Sequence, residues 1–504
     1  MTSLPVLLTS FAITGAILTW LMRSRSTNLL MSFLQYFCGV WFIFSGLVKA
    51  VDPIGTAYKM EDYFVQFEST FEGLTNFMKG LAPMFPALSE KSTGFAIFMV
   101  IFEIVLGVML IVGWRRKLTA WLFFLLVVFF TLLTGFTFLT GYVPSEANFF
   151  DFAKWGSYVK EQMRVTDCGC FGDFIKLDPR ISFYKDLGLL IPAFLFLFRS
   201  KWMHQLFDGK RSWIVGGATV LTLLVCYQNT HMNLPMVDFR PFKIGNNIRE
   251  IKAMEEKARS NVQVTGWVLE NTNTGQVVTF NEPDPSKITY YKTYAKADGW
   301  KVKDQIKTEP FIEKDGQKIL VIETKISQFA VEDASNNEMT EEILTEPGYS
   351  LMIVAYHLEG TMVKEIYSVQ DTIWAMDTIQ VTKDSMAVVK RFSYTKNSEA
   401  TREVFEPETH YGSLFKDQVN PVADAAKKAG WKVYAITTFA DAQKGIEMGE
   451  KTGATYPFYR ADDKLLKTII RANPGLVVLK DGQVVGMYHH RHLPAADALL
   501  GQYK

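Results

Sequence analysis

Hydrophobic positions are distributed unevenly along this chain. Up to about residue 230 they form long apolar runs, and beyond it Lys, Asp, Glu, Thr and Gly are interspersed throughout. A run of about 20 mostly apolar residues can cross a bilayer. Six such spans are expected, near Leu4–Met22, Ser32–Ala50, Gly94–Gly113, Leu118–Thr140, Leu187–Phe198 with its flanks, and Trp213–Tyr227. The last two are short, and Pro192 interrupts the fifth. No basic residue precedes the first run, and Arg23 and Arg25 follow it, so it reads as a span rather than a signal peptide. After the second run, Phe64, Phe67, Phe71, Leu74, Met78 and Leu81 recur at spacings of three and four. That spacing predicts an amphipathic helix along the membrane surface or over the mouth of the bundle.

The polar half alternates differently. Residues 231–255 read as a polar linker. Gln263–Glu270 and Gln276–Phe280 flank Asn271-Thr272-Asn273-Thr274-Gly275 and predict a hairpin. Gly299–Lys303 and Lys318–Ile326 are further strand candidates. From Ser350 onward the pattern predicts strand (350–356), helix (419–429), strand (431–437), helix (440–451), short strand (456–458) and helix (462–472). Two strands joined by Lys480-Asp481-Gly482, a hairpin turn type, and a final helix over 495–503 complete it. Three parts are therefore expected: a membrane domain (1–230), a linker and β-rich region (231–345), and an α/β domain (346–504) with an insertion at about 359–413.

Charge sets the orientation. The net charge is +1, with no basic face that would argue for nucleic acid. Arg23 and Arg25, then Arg115, Arg116 and Lys117, then Arg199, Lys201, Lys210 and Arg211 make alternate short loops basic. Basic short loops are cytoplasmic. The loops after spans two and four, and everything after span six, are then expected on the opposite side. In a bacterium that side is the oxidising periplasm.

Only four cysteines occur, and two of them stand one residue apart in Asp167-Cys168-Gly169-Cys170-Phe171-Gly172-Asp173, in the loop after span four. Such a pair can exchange electrons, pair structurally or ligate a soft metal. Two thiolates are only half of a tetrahedral site, and no second Cys pair completes it. A bridge between residues i and i+2 is strained, which makes it a better exchanger than a staple. Arg164 and Lys176 favour the thiolate, and Asp167 and Asp173 oppose it. Cys38 and Cys226 fall within spans, where a buried apolar role is the simplest; Cys226 would lie toward the periplasmic face, within reach of the motif. Glu103 falls midway along span three, near the bilayer midplane, where a carboxyl is costly and therefore a functional candidate. It would be protonated, paired with Lys49, part of a quinone or proton site, or hydrogen-bonded through Ser45 or Thr134. His489, His490 and His492 cluster after the last strand, but adjacent residues of an extended segment face opposite ways and chelate poorly.

Phe44-Ser45-Gly46-Leu47-Val48-Lys49, Phe102-Glu103-Ile104-Val105-Leu106-Gly107 and the Asp-Cys-Gly-Cys-Phe-Gly-Asp motif make the membrane half resemble the DoxX/MauE family of bacterial membrane proteins. The resemblance implies thiol redox at a membrane: MauE-type proteins are associated with making disulfides in periplasmic enzymes of methylamine use, and others with quinone-coupled sulfur oxidation. The order of elements after residue 350, with Asn473-Pro474-Gly475 ahead of an apolar strand, resembles a thioredoxin-like domain. That resemblance implies a cis peptide at Pro474 and a substrate-docking role for it. The family's Cys-x-x-Cys, due near His357-Leu358-Glu359-Gly360, is missing. The expected molecule is thus a six-span inner-membrane protein with a periplasmic thioredoxin-like domain. Cys168 and Cys170 would be its exchanging pair, Glu103, Lys49 and Cys226 accessory groups, and a quinone or further thiol its electron acceptor. Its surroundings would be membrane lipid and a periplasmic protein client. The contrasting expectation is a non-enzymatic envelope scaffold that binds partners through its polar half.

Overall fold

The computed structural model describes residues 3–74, 77–144, 146–156, 158–165, 169–281, 299–382 and 385–503. The chain packs as two units, residues 1–243 with 254–324 and residues 244–253 with 325–504. The middle region expected over 231–345 is shared between them.

In the first unit, α1 (Leu4–Leu21), α2 (Leu29–Val51), α3 (Pro53–Glu72), α4 (Met84–Ser89), α5 (Ser92–Val112), α6 (Arg116–Leu139), α7 (Pro179–Phe198) and α8 (Arg211–Tyr227) follow in order. Among the described residues, α1, α2, α5, α6 and α7 are long and apolar enough to cross a membrane. The sixth expected span is α8, whose 17 residues fall short of the other five and continue as a π-turn over Gln228–Met232. The amphipathic helix predicted after span two is α3, which begins earlier than its apolar spacing suggests. Asp52 caps it by accepting from the Gly55 N–H at 2.9 Å, and Pro53 takes its first turn. The fifth span also begins earlier, at Pro179 rather than near Leu187, for the same reason: the Asp178 carboxylate accepts from the Arg180 N–H at 2.9 Å.

The basic loops meet at one end of the bundle. The Leu206 N–H donates to Val112 O at 2.9 Å, Arg116 donates to Lys201 O at 3.3 Å, and the His204 N–H donates to Gln35 Oε1 near the start of α2 at 2.8 Å. The opposite end holds the C-terminus of α2, where Asn229 donates to Ala50 O at 2.8 Å. The core between α1, α2, α5, α6 and α7 is aromatic and aliphatic, centred on Phe42, Leu106, Leu110, Phe123 and Phe196.

After α9 (Ile248–Ser260), strands β1 (Val264–Asn271), β2 (Val277–Asn281) and β3 (Trp300–Lys307) form an antiparallel sheet in the order β2-β1-β3. The predicted hairpin is β1–β2. The strand expected over Lys318–Ile326 is instead the second arm of a small hairpin, β4 (Phe311–Lys314) and β5 (Gln317–Leu320). Its turn, Asp315-Gly316, has positive φ at both residues (53° and 75°), a two-residue hairpin geometry that the sequence pair Asp-Gly signals.

The second unit is built on a five-stranded sheet in the order β10-β9-β6-β11-β12. These strands are β6 (Tyr349–Val354), β9 (Lys432–Thr438), β10 (Phe458–Ala461), β11 (Gly475–Lys480) and β12 (Gln483–His489). Strands β6, β9 and β10 run parallel; β11 and β12 are antiparallel additions. Strands β6 and β11 are buried along nearly their whole length, which is why both read as unbroken apolar runs. Leu351, Ile353, Leu476 and Val478 pack under Phe415, Val422, Ala426 and Met448 from the flanking helices. Earlier chain covers both sheet edges. Residues 245–247 pair along β12, with Gly245 N–H to Val484 O at 2.8 Å, and Glu332 exchanges backbone bonds with Arg460 of β10 at 2.8 and 2.9 Å. Covered edges remove the free backbone rows that invite unwanted pairing.

Between β6 and β9 the chain leaves the sheet as one long ribbon. Strands β7 (Gly360–Thr382) and β8 (Ser385–Pro407) have 23 residues each and pair antiparallel from Gly360↔Pro407 to Thr382↔Ser385, with register shifts after Ile373 and after Gln380. At about 3.3 Å per residue the ribbon extends roughly 75 Å. Its proximal part is laddered by ion pairs such as Arg402–Glu365 at 2.8 Å. Farther out, Trp374, Met376, Met386, Val388 and Phe392 are each more than half exposed.

Candidate functional site

The segment carrying the second motif cysteine turns back onto the bundle. Gly169 and Gly172 hold φ of +60° and +50°, a region closed to most side chains. The Gly172 N–H donates to Gly169 O at 3.2 Å, and Phe174 N–H donates to Phe171 O at 3.1 Å. The Phe171 side chain enters the core between the helices, and both it and Phe174 contact Phe44 of α2, at 6.2 and 5.8 Å between ring centroids. Cys168 lies outside the described residues, as does the backbone bend a Cys168–Cys170 bridge would need. Cys170 is a half-buried free thiol packed against the bundle core.

One turn of α2 receives this segment. Phe44, Ser45, Val48 and Lys49 recur at helical spacing, so they share one face. Ser45 Oγ lies 3.0 Å from Cys170 O and 3.0 Å from Glu103 Oε2. Lys49 Nζ lies 2.5 Å from Glu103 Oε1, donates to Ser45 Oγ at 3.3 Å, and sits 5.2 Å from the centre of the Phe130 ring. Both charged side chains are buried. The expected pairing of Glu103 with Lys49 is therefore present, and Ser45 is its hydroxyl partner. Thr134 is not; it bonds elsewhere. Along α5 Glu103 is central. Against α2 it stands beside Gly46, five residues before the last residue of that helix, Val51. That is about 7 Å from the helix end at 1.5 Å per residue.

A second buried ion pair was not anticipated. Lys185 and Asp186, adjacent on α7, contact each other through Nζ and Oδ1, and both are buried. Asp186 Oδ2 lies 3.0 Å from Thr134 Oγ1 of α6, and Lys185 Nζ lies 5.7 Å from the Trp41 ring centre. Placing the fifth span at Leu187 leaves these two residues in a loop. The Asp178-Pro179 helix start was the signal that puts them inside.

Burial pushes the Cys170 thiol above its usual range; Lys185 and Lys49 oppose that push, and Asp186 and Glu103 add to it. The charges that act on Cys170 thus come from α2, α5 and α7. The sequence neighbours expected to tune it are engaged otherwise. Lys176 pairs with Asp173 at 3.8 Å, and Arg164 bonds Thr70 Oγ1 at 3.2 Å and Ala147 O at 2.8 Å. Asp167 lies outside the described residues. From α3, Lys59 lines Gly169, where an added Cβ would meet its Cγ at 3.3 Å.

Cys226 is buried with Ala50, Val100 and Ile104, and Cys38 lies in the main core. In the second unit the Asn473–Pro474 peptide is cis. His490 Nδ1 lies 3.0 Å from Pro474 O, and the Tyr411 hydroxyl donates to His357 O at 3.0 Å. The chain turns at His490, so the rings of His489 and His490 are 4.2 Å apart rather than on opposite faces as an extended segment would place them. Burial depresses His489 to about 4, the neighbouring His490 and Arg491 adding to the shift.

No curated protein and no solved structure matches this chain. One family model does: residues 27–145, the stretch holding α2 to α6 with Lys49, Glu103 and Thr134, match the methylamine utilisation protein MauE, and this match with the five long apolar helices supports a MauE-like multi-pass membrane protein.

Proposed function

We propose that this protein takes part in thiol–disulfide exchange on the periplasmic side of a bacterial inner membrane, with Cys168 and Cys170 as the exchanging pair. The observation that carries this reading is the packing of Cys170 against the bundle core, its carbonyl 3.0 Å from Ser45 Oγ, the hydroxyl partner of the buried Lys49–Glu103 pair. A structural thiol has no use for such costly neighbours. The basic loops gathered at the other end of the bundle support the periplasmic assignment. Electrons would pass between a client protein and a quinone or further thiol. The second unit would serve as a thioredoxin-like docking domain. The order β9-β6-β11-β12 with a cis-proline before β11 supports that likeness, and the missing Cys-x-x-Cys limits the domain to binding.

The test is thiol labelling of intact cells with a membrane-impermeant reagent. Cys168 and Cys170 are expected to be protected until a reductant is added, and Cys168→Ser or Cys170→Ser is expected to trap or abolish mixed disulfides with a client. Permanently reduced cysteines, together with unaltered cell physiology in both Ser variants, would rule the reading out.

The ribbon favours a second reading, that of a partner-binding envelope scaffold. A two-stranded ribbon is marginal in water by itself, and this one exposes Trp374, Met376, Phe392 and other apolar side chains on its distal part. Replacing residues 366–401 by a short turn, which keeps the buried Val404 and Phe405, is expected to leave the five-stranded sheet folded but to release any stable envelope complex. Recovery of that complex at wild-type level from the shortened chain counts against a scaffold built on the ribbon.

A further inference from the structure

Ser45 is the point at which the motif segment and a buried ion pair meet. Its surroundings are set from two sides of α2. Gly46, the next residue, has no side chain, and a Cβ there would stand 3.2 Å from Ile104 N and 3.3 Å from Glu103 Cβ. A small residue lets α5 approach this closely, and the Glu103 carboxylate reaches Ser45 Oγ at 3.0 Å. One residue earlier, Phe44 receives the rings of Phe171 and Phe174. That contact lays the turn of residues 169–174 on α2, with Cys170 O 3.0 Å from the same hydroxyl oxygen.

A hydroxyl has one proton to donate and two lone pairs to accept with. Lys49 Nζ donates to Ser45 Oγ at 3.3 Å. The one hydroxyl proton then faces two acceptors at equal distance, Glu103 Oε2 and Cys170 O, and they compete for it. Charge-assisted hydrogen bonds are roughly twice as strong as neutral ones. The Lys49–Glu103 ion pair therefore draws the proton toward the carboxylate and loosens the hold on the cysteine carbonyl.

We infer that Ser45 is a positioning residue for Cys170, and that the Lys49–Glu103 pair sets how firmly it holds the cysteine by competing for a single hydroxyl proton. The link is made of hydrogen bonds between α5, α2 and the turn, and it reaches the cysteine through its backbone. A thiol that attacks a disulfide needs a defined position, and a bridge between residues two apart needs a bent backbone; the hold on Cys170 O bears on both. The inference rests on the thiol-exchange reading for its purpose, but its test involves no client and no oxidant.

The experiment is infrared spectroscopy of the reduced, purified full-length chain grown with cysteine labelled with carbon-13 at its carbonyl. Cys38→Ala, Cys168→Ser and Cys226→Ala leave Cys170 as the labelled residue, since the chain has four cysteines. A carbonyl that loses a hydrogen bond stretches at higher frequency. Ser45→Ala should move the labelled band up. Lys49→Met with Glu103→Met removes the competing acceptor and should move it down. Adding Ser45→Ala to that pair should return the band to the position seen with Ser45→Ala alone, because the pair acts through the hydroxyl. Ser45→Ala should also speed iodoacetamide alkylation of Cys170 by about two- to tenfold, the factor that one net hydrogen bond is worth. A band unmoved by Ser45→Ala overturns the proposal, and so does an alkylation rate that does not rise. A downward shift from the two Met substitutions that persists without the hydroxyl overturns the competition. If Ser45→Ala fails to fold, the two Met substitutions alone decide, and an unmoved band there overturns the proposal. Cysteines found permanently reduced in cells would discard the exchange reading, whereas the hold on Cys170 is decided by the infrared band.

Discussion

Glu103→Ala, with Lys49 retained, is expected to destabilise the membrane unit by about 3–5 kcal/mol, the usual cost of removing one partner from a buried ion pair. The Lys49 ammonium is held by Glu103 Oε1 at 2.5 Å, by Ser45 Oγ at 3.3 Å and by the face of Phe130. Removing the carboxylate leaves the cation with one neutral hydroxyl and a ring, and leaves Ser45 with Cys170 O as its acceptor. Lys49→Met combined with Glu103→Met is expected to recover most of the loss, because an apolar pair of similar volume carries no desolvation cost. Measuring the unfolding free energy of the purified chain by detergent denaturation separates the two cases. Equal losses in the single and double variants would show that packing, not charge compensation, dominates at this position. The double variant should also change the environment of Cys170, since both charges act on its thiol.

The second large effect is expected at the crossing of α2 and α5. A Cβ added at Gly107 would stand 2.7 Å from Gly39 O, 2.7 Å from Ile43 Cγ1 and 3.0 Å from Ile43 N, and one at Gly39 would stand 2.9 Å from Gly107 O. Two of the three atoms facing Gly107 are backbone and cannot rotate away. Small residues are what allow membrane helices to approach this closely. Gly107→Ala should therefore cost about 1–3 kcal/mol by overpacking, and Gly107→Leu should force the helices apart. The Lys49–Glu103 bond spans the same crossing, so its geometry should be lost together with the fold. Gel filtration of detergent extracts should show Gly107→Leu as aggregated or absent. Gly216→Ala on α8, where an added Cβ meets nothing within 4 Å, should behave as wild type. An intact, monodisperse Gly107→Leu protein would mean that α2 and α5 are not locked at this crossing.

Much of the chain was readable from pattern alone. Apolar runs fixed the helices of the membrane half, because a bilayer demands length and hydrophobicity from each span separately. The same holds for the strands of the second unit, where β6 and β11 are apolar throughout because both faces are covered. Boundaries were less readable where the signal was a cap. The start of α7 was set by Asp178 and Pro179, eight residues ahead of the apolar run, and the whole placement of Lys185 and Asp186 turned on it. The 359–413 insertion carried alternating residues but no core to face, so its ribbon form was not read from them.

What the sequence determined by itself is therefore local: which segments are apolar enough to be helices in a membrane, which alternate as strands, and that Cys-Gly-Cys stands in a loop with Glu103 and Lys49 as costly charges elsewhere. The tertiary structure alone decided which charges meet. Ser45, Glu103, Thr134 and Asp186 lie on four different helices, and no periodicity within one helix can say which faces of two others it will touch. That depends on close crossings such as Gly39 on Gly107, and on a glycine turn that folds Cys170 back against α2. Electrostatic interactions act through space and weaken with distance, so the neighbours that govern the thiol are those the packing brings near and not those adjacent in the chain.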